Sequence, residues 1–306
     1  MTPSSFEVFV PATSANLGPG FDCFGLALPF GNTFQVTPSA RSRFTLEGEG
    51  ADRTLEGDSN RFLLAARRLA VRIGRELPSV EVVARCEIPF LRGLGSSASA
   101  TVGGLVAANR LFGEPLDTPE LLGLATDIEG HPDNAAPALM GGVTLSFAGP
   151  SGVVCQPLPV VSEIGLVVAI PEFELATAAA RGAVPSVVPL KDAVYNVGRA
   201  ALLVVALSQG RTELLAEALS DRLHQPYRER LVPGMGRVSE AARAAGAWNV
   251  TLSGSGPTLL AWGPREAEAA IAEAMEAAWK AGGVLCRTMV TGVHPFGASV
   301  RPVPVA

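Results

Sequence analysis

Basic runs are missing from this chain. Its 306 residues carry 24 Lys and Arg against 29 Asp and Glu, a formal charge of −5, and Lys191 and Lys280 are its only lysines. Phosphate backbones are held by clustered cations, so nucleic acid is not an expected partner. Long apolar runs are missing too: Ile164 to Ile170 and Ala200 to Leu207 are the densest, and both fall short of the ~20 residues a membrane-spanning helix needs. A membrane is therefore not an expected partner either. Met1 to Val10 has no basic stretch leading into an apolar one, and the expected location is the cytoplasm. Cysteines number four, Cys23, Cys86, Cys155 and Cys286, with no C-x-x-C pair, which suggests small core residues rather than a zinc site or a disulfide framework. Histidines number three, His131, His224 and His294, too few for a multi-histidine metal centre.

Apolar residues are plentiful at 48%, alongside 33 Gly and 24 Pro. A chain of this length should bury about 75% of the surface its unfolded form exposes, most simply in two domains. Period-two alternation predicts strands around Phe6 to Val10, Phe34 to Val36, Phe44 to Leu46 and Val80 to Ile88. Between the last two, Phe62, Leu63, Ala66, Leu69, Ala70 and Ile73 share one helical face from Asn60 to Gly74, with Asp58 or Ser59 expected as the cap. Further helices are expected from Ser97 to Phe112 and, with Thr118 as N-cap before Pro119, on to Gly130.

The Pro/Gly-rich stretch Gly149 to Pro159 is the best boundary candidate, giving domains of 1–160 and 161–306. After it the expected order is a strand at 164–170, helical pattern over 191–219, strands at 250–253 and 258–262, a helix at 265–281 and a strand at 284–290. That is β-α-β-β-α-β, the ferredoxin-like order, with extra helices in the first crossover.

Chemistry is concentrated in four short segments. In Pro89 to Ser99, PFLRGLGSSAS, Gly93 and Gly95 allow close backbone approach, and Ser96 and Ser97 open a helix whose free N–H groups attract an anion. It lacks the G-K-[ST] ending of the common phosphate loop, and alone it reads more readily as a strand-to-helix connection with two capping serines than as a nucleotide site. Two more turn-rich segments, Pro11 to Asp22 (PATSANLGPGFD) and Leu252 to Thr258 (LSGSGPT), also sit at predicted strand ends, where sites are commonly built. In Glu129 to Asn134, EGHPDN, the carboxylate suits Mg2+, and His131, Asp133 and Asn134 could orient a hydroxyl. Alone it would be a helix end with Gly130 as cap and Pro132 as stop.

Taken together and in this order, PATSANLGPGFD, PFLRGLGSSAS, EGHPDNAAPALMGG and LSGSGPT resemble the motifs of the GHMP small-molecule kinases, and within them the homoserine kinase branch. The likeness runs from Pro11 to about Val290. It implies an α+β fold of two domains, an N-terminal α+β domain with the Gly-rich phosphate loop and a ferredoxin-like C-terminal domain. It further implies ATP, Mg2+ and L-homoserine as ligands, with transfer of a phosphoryl group to the homoserine hydroxyl; a homodimer is expected from the resemblance only.

Residue by residue, the resemblance places the nucleotide on Pro89, Arg92, Gly93, Leu94, Gly95, Ser96, Ser97, Ala98 and Ser99, with Gly254 and Ser255 opposite and Asn60 near the adenine. It places Mg2+ on Ser97 and Glu129. It assigns the amino acid to Asn16, Asp22, His131, Asn134, Thr177, Arg181 and Arg228, with the two arginines on the carboxylate and Asp22 on the ammonium group. The mevalonate kinase branch is similar but uses an Asp base. Asn134 stands at that position here, and a neutral amide takes no proton at pH 7. The expectation is that Asn134 holds the hydroxyl in line, with His131 as the only nearby group titrating near neutrality. Another GHMP kinase acting on a different alcohol, or a nucleotide-binding regulator of that fold, is the alternative.

Overall fold

The computed structural model describes residues 5–161 and 163–303. The chain opens with β1 (Phe6–Ala15), β2 (Phe24–Pro38) and β3 (Arg43–Gly48), followed by α1 (Arg61–Arg72), β4 (Val80–Cys86), α2 (Ser96–Leu111), α3 (Thr118–Glu129), α4 (Ala135–Met140), β5 (Val143–Gly149) and β6 (Gly152–Leu158). The second half comprises β7 (Ile164–Pro171), α5 (Thr177–Gly182), α6 (Leu190–Gln209), α7 (Leu215–Ala218), α8 (Gln225–Arg228), α9 (Met235–Ala244), β8 (Asn249–Leu252), β9 (Leu259–Pro264), α10 (Glu268–Ala281), β10 (Cys286–Thr291) and β11 (Ser299–Pro302). None of the helices among the described residues is long and apolar enough to cross a membrane.

Strands β7 to β10 form a four-stranded antiparallel sheet in the order β10-β7-β9-β8. The β-α-β-β-α-β order therefore closes as the ferredoxin-like arrangement. The first sheet runs β11-β1-β2-β4-β3, with β5 and β6 attached through β2. Because β11 pairs with β1, the chain's last strand returns to the first sheet, and the ferredoxin-like unit ends at Thr291. The stretch Gly149 to Pro159 is not an open linker: most of it is β6, joined to β5 by a tight hairpin in which Gly149 faces Gly152. Turn formers there close a hairpin within the first sheet, and the second sheet begins after it at Ile164.

Two helix caps differ from expectation. Asn60 caps α1, its Oδ1 accepting the Leu63 N–H, and Asp117 caps α3 in a capping box with Glu120, which leaves Thr118 inside the helix. Asp accepts the orphan N–H groups at least as well as Thr, and the box satisfies two of them at once. The predicted helix over 191–219 is broken at Gly210, whose φ of +66° ends α6.

Three apolar cores hold the molecule. One packs β1, β2 and β4 under α1 to α4 through Phe34, Phe62, Leu69 and Leu105; another backs β7 and β9 with α9 and α10 around Trp279. The third joins the halves, setting Ala12, Leu26 and Leu28 of the first sheet against Leu166 and Trp262 of the second and Leu203 of α6. This shared core fixes the loops of both halves against each other, and the cavity described next lies among those loops.

Candidate active site

A cavity of about 340 Å³ is lined by all four Gly-rich or polar segments singled out in the sequence. Of the residues expected there, Asn16, Asp22, Pro89, Arg92 to Ala98, Glu129, His131, Asn134, Thr177, Arg181, Arg228, Gly254 and Ser255 line it. Asn60 and Ser99 do not. Asn60 is buried with its side chain turned to cap α1, and Ser99 is fully buried one turn into α2. Neither side chain reaches the cavity wall.

The phosphate end is made of backbone. Gly95 caps α2 in the left-handed conformation, φ +73°, and a Cβ on it would lie 1.9 Å from the Thr13 hydroxyl. Gly93, φ +71°, would drive a Cβ to 2.2 Å from the Ser253 carbonyl. Only glycine meets both demands. Ser253 ties the two Gly-rich loops together, its hydroxyl donating to the Gly93 carbonyl at 2.6 Å. Just beyond, the first turn of α2 presents N–H groups and the positive end of a 16-residue helix to the cavity. Arg92 lines the cavity and also braces it: its guanidinium donates to the carbonyls of Pro171, Phe90 and Glu172 at 3.0, 3.1 and 2.6 Å. Three of its five N–H donors thereby stitch the phosphate loop to the end of β7.

Between the ends, Ser97 Oγ donates to Glu129 Oε1 at 3.0 Å, and Thr101 Oγ1 donates to the same oxygen at 2.6 Å. A carboxylate and a hydroxyl at this spacing are hard oxygen donors of the kind Mg2+ prefers, so the residues fit that ion.

Asn134 sits at the centre. Its Oδ1 accepts the Thr13 hydroxyl at 2.8 Å, and its Nδ2 donates to Asp133 Oδ1 at 3.2 Å. Thr13 is aimed there by a register shift between β1 and β2 at Pro11/Thr13, an irregularity typical of strands beside sites. His131 Nδ1 makes a short hydrogen bond to Asp133 Oδ1. Burial works against the imidazolium, but this bond and the Asp133 charge outweigh it, and the His131 pKa is raised. Asp133, itself buried, is the residue that orients both neighbours.

Charged side chains build the far end. Arg181 grips Asp22 with both arms, Nη1 to Oδ2 at 3.1 Å and Nη2 to Oδ1 at 2.8 Å; that bond raises the pKa of Arg181. Arg228 is only 2% exposed. Its Nε donates to the Ala180 carbonyl and its Nη1 to the Gly254 carbonyl, at 3.1 and 3.0 Å. Burial first, and then the neighbouring Arg181, lowers its pKa. Phe21 lies under both guanidinium groups, at 5.9 Å from Arg181 and 5.1 Å from Arg228. Asn16 donates to the same Gly254 carbonyl at 2.8 Å and accepts the Asp22 N–H at 3.0 Å. Asn16, Leu17 and Asp22 all have positive φ. Such strain is held where it serves a site.

Behind Arg228 stands His224, fully buried and stacked on Phe21. Its Nε2 lies 2.8 Å from the Gly18 carbonyl and its Nδ1 3.3 Å from Arg228 Nη1, so the neutral Nε2–H tautomer satisfies both partners. Burial lowers its pKa. Sequence reasoning gave Thr13, Thr101, Ser253, Phe21 and His224 no role at the site. Thr13, Phe21 and Ser253 lie inside the segments singled out above, but Thr13, Thr101 and Ser253 bond to partners distant in the chain, and His224 meets Arg228 only where the chain turns into α8.

The patterns describing GHMP kinases N terminal domain and GHMP kinases C terminal match residues 60–142 and 203–281. A homoserine kinase of Gloeobacter violaceus is 46% identical over 96% of this chain and 98% of its own length. One from Moorella thermoacetica is 44% identical over 96% and 99%. The crystal structure of homoserine kinase from Cytophaga hutchinsonii superposes with a TM-score of 0.89 at 31% identity, covering 98% of both chains. The cavity, its two Gly-rich loops and these likenesses agree, and the chain belongs to the GHMP kinase family, among the homoserine kinases.

Proposed function

We propose that the protein transfers the γ-phosphoryl group of ATP to the side-chain hydroxyl of L-homoserine, giving O-phospho-L-homoserine and ADP in threonine biosynthesis. The observation that carries this reading is a single cavity with an anion-binding helix start at one end and paired guanidinium and carboxylate groups at the other. A polyol or an isoprenoid alcohol would offer no ammonium group to Asp22.

The phosphates lie over Gly93 to Ala98, where N–H groups at the start of α2 receive their oxygens. Ser97 and Glu129 would hold Mg2+, which would supply charge neutralisation to the phosphoryl group. Arg228 and Arg181 take the homoserine carboxylate, a planar match to guanidinium, while Asp22, with Asp133 nearby, takes the ammonium group. Asn134 orients the hydroxyl. Its amide is fixed by Thr13 and Asp133 and has no basic atom to offer. Phosphoryl transfer depends mainly on alignment and charge stabilisation, so a strong base is not required. The proton leaves through the phosphate or water. The protein acts from the cytoplasm on small-molecule substrates, its N-terminal domain giving way to the ferredoxin-like one near residue 160 and taking back β11 after it.

Incubating the protein with ATP, Mg2+ and L-homoserine and following 31P NMR tests this reading. A new phosphomonoester resonance matching O-phospho-L-homoserine is expected; ATP consumption yielding only inorganic phosphate would overturn it.

A further inference from the structure

Glu129 is the last residue of α3, the helix end whose exposed carbonyls disfavour a carboxylate. No Lys, Arg or His among the described residues pairs with it. Its partners are hydroxyls from α2: Ser97 at the exposed first turn and Thr101, fully buried, one turn below. Both donate to Oε1, so Oε2 keeps its lone pairs. Thr101 is unusual in this. A buried threonine inside a helix ordinarily donates to the carbonyl four residues back, as Thr126 of α3 does to Leu122 at 2.8 Å. Thr101 instead reaches across to another helix and makes the shorter bond, 2.6 Å, to a charged acceptor.

We propose that Thr101 is a positioning residue for the divalent-cation site, its hydroxyl pinning Oε1 of Glu129 so that the carboxylate stands ready for the cation. The inference rests on the assignment of Ser97 and Glu129 to that cation. Thr101 does not line the cavity and touches no substrate. It acts through Glu129 alone, as outer partners of metal ligands do, and their loss typically costs 10- to 100-fold in metal affinity.

Calorimetric binding of ADP, measured once in EDTA and once with Mn2+, isolates the effect without turnover. The ratio of the two affinities is the cation's contribution. Thr101→Val, which keeps the side-chain shape, should reduce that ratio about tenfold while leaving ADP affinity in EDTA unchanged. Thr101→Ser, which keeps the hydroxyl, should restore it. Should the Val variant fail to fold, Thr101→Ala removes the same donor. A full ratio in the folded Val or Ala variant, or an equal loss in the Ser variant, overturns the proposal. Glu129→Gln separates the two layers: an undiminished ratio there means that Glu129 does not hold the cation, whereas a reduced ratio beside a normal Thr101→Val means that only the role of Thr101 is wrong.

Discussion

At the phosphate end, Gly93, Gly95, Ser96 and Ser97 are near neighbours in the chain and work largely through backbone geometry. At the amino-acid end, Asp22 meets Arg181 across 159 positions and Asn16 meets Gly254 across 238, and the work falls to charged side chains. A backbone cradle binds any polyphosphate and confers little choice among acceptors. Side chains gathered from four segments bind one arrangement of charges. Specificity should therefore be lost at one end and turnover at the other, and the variants below are chosen to break that division.

Arg228→Ala should have the largest effect. The guanidinium is buried, and leaving the substrate carboxylate without this partner in the desolvated complex should cost roughly 2 to 5 kcal/mol. The loss should appear in KM for L-homoserine, with KM for ATP nearly unchanged in steady-state kinetics. A shift of both constants together would erase the distinction between the ends.

Next comes Asn134→Leu, at the junction. Misplacing the hydroxyl by ~1 Å can cost about 10²-fold, so kcat should fall by about that factor. His131→Asn should keep appreciable turnover and a similar pH profile. Loss of an acid limb in the His131 variant, beside a near-normal Asn134 variant, would make His131 the base.

How much of this was legible depended on range. The phosphate loop, the opening of α2 and the ferredoxin-like order could be read because the causes are local: glycine at positive φ, a helix start, period-two strands. The side chains of Arg92 and Asn60 have partners that the motifs do not show. A motif fixes where the backbone goes, whereas their side chains are claimed by carbonyls at the end of β7 and by the Leu63 N–H. The hairpin of β5 and β6 looked like a linker because Pro and Gly mark turns of every kind. The Thr13–Asn134 and Thr101–Glu129 bonds needed a fold before they could exist.

The smallest expected effect sharpens the comparison through pH. Burial depresses the pKa of His224, so the unfolded chain takes up a proton near the ordinary 6.5 while the folded one resists it. Stability held by neutral His224 is full above that pH and lost as pH falls. His131, where burial opposes the imidazolium but the bond to Asp133 and the Asp133 charge together outweigh it and raise the pKa, has the opposite sign: its contribution is present below 6.5 and lost as pH rises through the raised value. Melting temperature against pH should flatten on the acid side in His224→Gln and on the neutral side in His131→Asn.

The division between a permissive phosphate end and a selective amino-acid end is tested most directly by ADP release measured across L-homoserine, L-threonine, L-serine, mevalonate and galactose at saturating ATP-Mg2+. The account predicts the highest kcat/KM for L-homoserine, with mevalonate and galactose near background because neither can satisfy Asp22 together with the two arginines. Comparable kcat/KM for mevalonate or galactose would contradict it.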